Sequence, residues 1–242
     1  MRFNIKTIID NWWMLRYLFS SIHINFHYLP FRQAIHLPIL VYRPKFEHLG
    51  GRIIIQTPDG EVKRGMIRLG RHLVSIYGNH GIMIENNGTI IFHGDCELAS
   101  GTKLSVGEYG VLEFGDKSRA SAEVKIICTN SIKVGTDVGI GWETVIMDTD
   151  FHQLTTTDGS PMPVPVMPVN IGSQTWIASC CRIMKGTVIP PKCVVASGSM
   201  LNRRYDIPEC SLLGGAPATV IRNNIWRNRE NEEIDYSLYA SK

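Results

Sequence analysis

From Ile171 to Leu201 an aliphatic residue recurs at every sixth position: Ile171, Ile177, Ile183, Ile189, Val195 and Leu201. Gly172, Ala178, Pro190 and Ala196, all small or tight-turning, follow four of them. A period of six fits neither a helix nor the alternation of a strand. It predicts a short strand, a turn and the same again, with one side chain per unit pointing inward. Units of this kind bury their apolar residue only against their neighbours and stack into a parallel β-helix. The register continues upstream through Val134, Ile140 and Ile146, and less regularly through Leu98, Leu104, Val106, Leu112, Phe114, Ala120, Ile126 and Ile132. Longer steps, as from Val106 to Phe114, predict corners that hold extra residues.

Two stretches lack the register. Met147 to Asn170 has no rung and carries Pro161, Pro163, Pro165 and Pro168, too many prolines for an interior strand. It is expected to be a loop thrown out of the solenoid, and loops of that length are often functional. Residues 1–50 form the other stretch. Asp10 to Ser20 reads as a helix. His23 to Tyr28 alternates Ile24, Phe26 and Tyr28 with polar residues and reads as a strand. Pro30, Pro38 and Pro44 then break the chain into short pieces. The expected organisation is a cap over residues 1–50, a solenoid over 51–221 with the extruded loop at 147–170, and a helical tail over 222–242.

Composition narrows the class. An apolar fraction of 44% over 242 residues supports a folded core, and a net charge of +3 gives no reason to expect a nucleic-acid partner. The six cysteines include no CxxC pair. Those inside the repeat are expected to be small buried hydrophobes, which fits a reducing, cytoplasmic setting. No metal site is expected. Trp12 to Ile24 is rich in large apolar residues but is interrupted by Arg16 and His23, and it is too short to span a bilayer. Its expected role is packing on the solenoid. A weak membrane-surface association through residues 12–28 is the alternative.

Three features carry candidate chemistry. His152 follows Asp148 and Asp150 where the loop leaves the last regular coil. A histidine beside carboxylates suits general-base work, with Asp148 or Asp150 orienting the ring. Ala178, Ala196 and Gly214 are spaced by one coil of a three-sided solenoid, which predicts a shallow groove free of bulky side chains. Arg203, Arg204 and Arg222 lie beyond it as cations suited to phosphates. Trp176 cannot fit the narrow interior and is expected outside.

These residues resemble the hexapeptide-repeat acyltransferases. The likeness is carried by Ile126 to His152, the Val169-Asn170-Ile171-Gly172-Ser173-Gln174-Thr175-Trp176-Ile177-Ala178 coil and Lys185 to Ile189. It continues through Val194 to Ser199 and the Gly214-Gly215-Ala216-Pro217-Ala218 turn. The pattern is most similar to sugar O-acetyltransferases of maltose/galactoside type and to those of surface-polysaccharide synthesis, over roughly residues 100–222. It departs from them at Ala178, where glycine is usual, at Pro190, and in having Phe151-His152 where some members have paired histidines.

The resemblance implies a left-handed β-helix and a homotrimer with acetyl-CoA bound between subunits. It places His152 as the catalytic base and Trp176 near the thioester. It puts Ala178, Ser179, Ala196 and Ser197 along the pantetheine path, and Arg203 and Arg204 near the nucleotide phosphates. The acceptor it implies is a sugar or glycan hydroxyl. A serine or amino-sugar-nucleotide acetyltransferase and a non-enzymatic scaffold are the other readings. A zinc enzyme of γ-carbonic-anhydrase type is disfavoured because His152 is the single histidine after Val111.

Overall fold

The computed structural model describes residues 12–227. Its body is the expected left-handed parallel β-helix, with three faces. The first face holds nine strands, the second seven and the third six. Each turn of chain contributes one short strand to each face, paired in parallel with the turns before and after it.

The aliphatic ladder forms the interior. On the first face Val41, Leu69, Leu98, Ala120, Ile140, Ile177, Val195 and Leu213 stand in one register. On the second the column is Phe46, Ile84, Leu104, Ile126, Ile146, Ile183 and Leu201. On the third it is Ile55, Phe92, Phe114, Val134, Ile171 and Ile189. All six rungs read from the six-residue period are buried to 2% exposure or less. Full burial of such a side chain is worth about 1.5–3 kcal/mol, so the stack is the main source of cohesion. Phe92 and Phe114, both buried, stack with ring centroids 5.4 Å apart in successive coils.

The corners explain why short strands suffice. Glu123, Glu143 and Cys180 occupy successive positions of one corner with φ near +60°. That region costs an L-residue roughly 1–2 kcal/mol. Each offsets this by donating its N–H to the preceding coil: Glu123 to Ser100 O at 3.0 Å, Glu143 to Ala122 O at 3.0 Å and Cys180 to Trp142 O at 2.8 Å. The hydrogen-bond ladder thus continues around the bend. Cys180 is thereby exposed, against the expectation for cysteines in the repeat, whereas Cys181 and Cys193 are buried as expected.

The coils begin earlier than residue 51. Ile39–Val41 and Pro44–Phe46 already pair with the next turn, so only the segment before Ile39 is cap. It is a helix, α1 (Trp12–Tyr28), followed by a short α2 (Phe31–Ala34). The strand expected at His23–Tyr28 is therefore corrected to helix. The buried positions are Ser21, Ile24 and Asn25, while Phe26 is exposed, which is helical spacing. Two of the three buried residues are polar, so the apolar pattern was disguised. Their polarity has a purpose. Asn25 Nδ2 donates to Ile39 O at 2.7 Å and Asn25 Oδ1 accepts from Ile39 N at 3.1 Å, while Ser21 Oγ accepts from Val41 N at 3.1 Å. The helix thus satisfies the open edge of the first strand, which would otherwise template pairing with another chain.

The opposite side of α1 exposes Leu18, Phe19, Ile22 and Phe26. No helix among the described residues is long and apolar enough to cross a membrane. At the other end of the solenoid, Ala218–Arg222 returns antiparallel to Leu212–Gly215. The helix expected over 222–242 falls almost entirely outside the described residues.

Candidate functional site

The extruded loop leaves the solenoid after Val145–Met147 on the second face and returns at Val169–Ile171 on the third. Its base is clasped. Thr149 and Val166 form an antiparallel bridge, Asp150 N donates to Pro165 O at 2.9 Å, and Met167 N donates to Asp148 O at 3.0 Å. Lys185 ties the base to the next coil through an ion pair with Asp150 at 2.6 Å and a hydrogen bond to Val164 O. Phe151, with φ +60°, turns the chain outward, and His152 follows it, exposed.

The two carboxylates do not meet the His152 ring. Asp148 is fully buried. Its Oδ1 accepts from Thr129 N at 2.8 Å and Thr129 Oγ1 at 3.0 Å, and its Oδ2 accepts from Asn130 N and Ser131 N at 2.8 Å each. Four donors occupy the carboxylate, which holds the corner of the preceding coil. Asp150 is committed to Lys185. The expectation that Asp148 or Asp150 orients the ring is therefore corrected: they fix the stalk that presents it. His152 itself makes no hydrogen bond or ion pair among the described residues.

The groove lies at another corner, where the first face turns into the second. A cavity of about 490 Å³ there is lined by Trp142, Trp176, Ala178, Ser179, Ser197 and Arg119, among others. Trp176 is outside the solenoid, as expected, and Arg227 lies 5.4 Å from its ring centroid. Ser179 Oγ and Ser197 Oγ, one coil apart, are 3.3 Å from each other. Gly141 stacks directly on this wall. A Cβ there would lie 2.5 Å from Ser179 N and from the Ala178 carbonyl carbon, so only glycine allows the coils to approach. The backbone donors differ. Ala178 N–H is taken by Val195 O at 2.9 Å, whereas Ser179 N–H has no partner among the described residues.

The groove runs toward the N-terminal coils rather than along Ala196 and Gly214. A Cβ on Gly214 would meet Ile221 Cδ1 at 2.4 Å and Ala196 Cβ at 3.2 Å, so the returning strand covers that end. Arg203 and Arg204 lie off the groove. Arg203 donates to Ala218 O at 3.3 Å and stands 5.4 Å from the Tyr205 ring, and Arg204 pairs with Asp206 at 2.8 Å. Arg222 is exposed on the returning strand.

One element of the wall was missed. Residues 71–81 form a second excursion that carries Leu73 into the cavity lining. Tyr77 packs 6.4 Å from Trp142, centroid to centroid, and its hydroxyl donates to Glu143 Oε1 at 2.7 Å. That bond to a carboxylate pushes the Tyr77 phenol up to about 12 and keeps it a neutral donor. The available signal was a second break in the ladder, between Leu69-Gly70 and Ile82, holding His72, Tyr77 and His80.

No protein-family model matches the chain. WbbJ of Escherichia coli K12, assigned to lipopolysaccharide biosynthesis as an O-acetyl transferase, is 28% identical over 149 residues, which are 57% of this chain and 74% of that protein. An assigned acetyltransferase of Mycobacterium tuberculosis is 29% identical over 167 residues, 67% of this chain and 51% of that longer protein. The crystal structure of NeuO, a polySia-specific acetyltransferase, covers 80% of this chain and 92% of its own at a TM-score of 0.53 and 16% identity, a likeness of fold. The chain is thus similar in sequence to assigned acetyltransferases and in fold to NeuO, in agreement with the hexapeptide-repeat acyltransferases that its motifs resemble.

Proposed function

We propose that the protein moves an acetyl group from acetyl-CoA to a hydroxyl of a sugar or surface polysaccharide, and that each site is built from two chains of a homotrimer. One observation carries this reading. His152 stands unpartnered on a braced stalk at the corner between the second and third faces. The Trp176–Ser179 groove lies at the corner between the first and second. Among the described residues no hydrogen bond or ion pair links the two. A closed threefold arrangement lets the stalk of one subunit lie over the groove of the next.

In this reading His152 accepts the proton of the acceptor hydroxyl as its oxygen attacks the thioester carbonyl. Ser179 N–H, the free donor of the groove wall, stabilises the oxyanion. The carbon–sulfur bond then breaks, and the imidazolium passes its proton to the departing sulfur, which releases CoA thiol and returns His152 to its neutral form. Trp176 flanks the acyl end of acetyl-CoA, and the small residues Ala178, Ser179 and Ser197 let the pantetheine lie against backbone.

A thiol-release assay with acetyl-CoA against a panel of sugars and glycans tests the proposal. Acceptor-dependent release is expected. His152→Ala should lower it by about 10²–10⁴ with unchanged CoA affinity. An acetyl product labile in mild alkali identifies an ester, while an alkali-stable product would show an amide and redirect the proposal to amino sugars. Wild-type turnover by His152→Ala would remove that residue from the mechanism.

A further inference from the structure

The first face continues past the groove toward the cap, and the outward column there carries Arg119 and Arg68 on either side of Glu97. By register Trp176 is followed, coil by coil, by Gly139, Arg119, Glu97 and Arg68 on the same outward column. Four steps of about 4.8 Å put Arg68 roughly 19 Å from Trp176. Neither Arg68 nor Arg119 makes an ion pair among the described residues. At the head of the column a cavity of about 690 Å³ opens among Arg43, Arg68, Arg71 and His72, with Tyr17 and Tyr42 as walls. Among the described residues no carboxylate lines it.

Its cations are held in place rather than loose. Arg43 Nε donates to Tyr17 Oη at 3.1 Å and its Nη1 to Asn79 O at 2.9 Å. Arg71 Nη1 donates to Glu97 Oε1 at 3.1 Å, and His72 Nε2 lies 2.9 Å from Tyr77 O. Each arginine keeps further N–H groups for a ligand. Convergent guanidinium groups in a concave site recognise carboxylate or phosphate oxygens, often in pairs. The same excursion, residues 71–81, contributes to this cavity and to the transfer groove, so one element joins the two.

We infer that the acceptor is an extended glycan carrying anionic groups, and that an anionic group sits in the arginine cavity while a hydroxyl several sugar units away lies at Trp176. The inference rests on the acetyl-transfer reading for its reaction and on the cavity for its substrate class. A span of about 19 Å exceeds a single sugar, so a chain is required. Carboxylate-bearing and phosphate-bearing glycans share the chemistry that the arginines read.

Three oligosaccharides of matched length, one neutral, one carboxylated and one phosphorylated, are titrated by calorimetry against the full chain without acetyl-CoA. Binding by at least one anionic chain and weaker binding by the neutral one are expected, and which anion binds tells the two sources apart. Arg68→Ala should weaken the anionic ligand about tenfold, the loss of one charge-assisted contact, and Arg68→Glu should weaken it further. CoA affinity and unfolding temperature should not change. Equal binding of the neutral chain, no effect of either substitution, or equal binding of a charged monosaccharide would overturn the inference. These readouts need no turnover, so they stand apart from a failure of the acetyl-transfer reading.

Discussion

Asp148 and His152 sit four positions apart on one segment and serve opposite ends. The carboxylate of Asp148 is fully buried and accepts four hydrogen bonds, while the His152 side chain is exposed and has no hydrogen bond or ion pair among the described residues. Asp148→Ala should leave the N–H groups of Asn130 and Ser131 without an acceptor and cost roughly 3 kcal/mol, read as a lower urea midpoint. Asp148→Asn keeps one acceptor oxygen and should lose part of that. An orienting role would instead leave stability intact and shift the pH–rate profile. The position of His152 was legible because the ladder stops beside it. The division of labour among the acids was not, since Asp148 and Asp150 are the same residue type and only their donors separate them. The same holds for Ala178 and Ser179. Their order suggested a backbone wall, but which N–H is free depends on the coil behind.

At the scale of elements, the regular period of six resolved the C-terminal coils because each holds little besides a rung and a corner. Toward the N-terminus, successive rungs such as Val41, Leu69 and Leu98 are further apart in sequence, and the extra corner residues hid both the first coil and the excursion at 71–81. The cap was misread for a different reason. Alternation at Ile24, Phe26 and Tyr28 looks like a strand, yet the helix buries Ser21 and Asn25 to hydrogen-bond an open strand edge. Asn25→Ala should remove the contacts to Ile39 and the bond to Ser21 O at 2.6 Å, at a cost of about 2 kcal/mol. Asn25→Asp should do no better, because it exchanges the donor for a buried charge. Thermal unfolding of the two variants checks this. Unchanged stability would mean that the helix packs by its apolar contacts alone.

The whole molecule is a three-sided prism in which chemistry is distributed among corners. The stalk with His152 rises where the second face meets the third, the groove lies where the first meets the second, and the arginine cavity heads the first. Corners repeat coil after coil, so a groove along one of them needs no special fold, only small residues such as Ala178 and Ser179. In the proposed trimer a second copy would close that groove over a thin ligand. Mixing His152→Ala chains with Ser197→Trp chains tests this most directly. Ser197 is exposed on the groove wall, so tryptophan there fills the groove without disturbing the core, and each variant alone should be inactive. After subunit exchange, confirmed by tagged-chain co-purification, acceptor-dependent thiol release should reappear at interfaces where an intact histidine faces an intact groove. Confirmed exchange with no recovered activity would contradict the account and place the whole site within one chain.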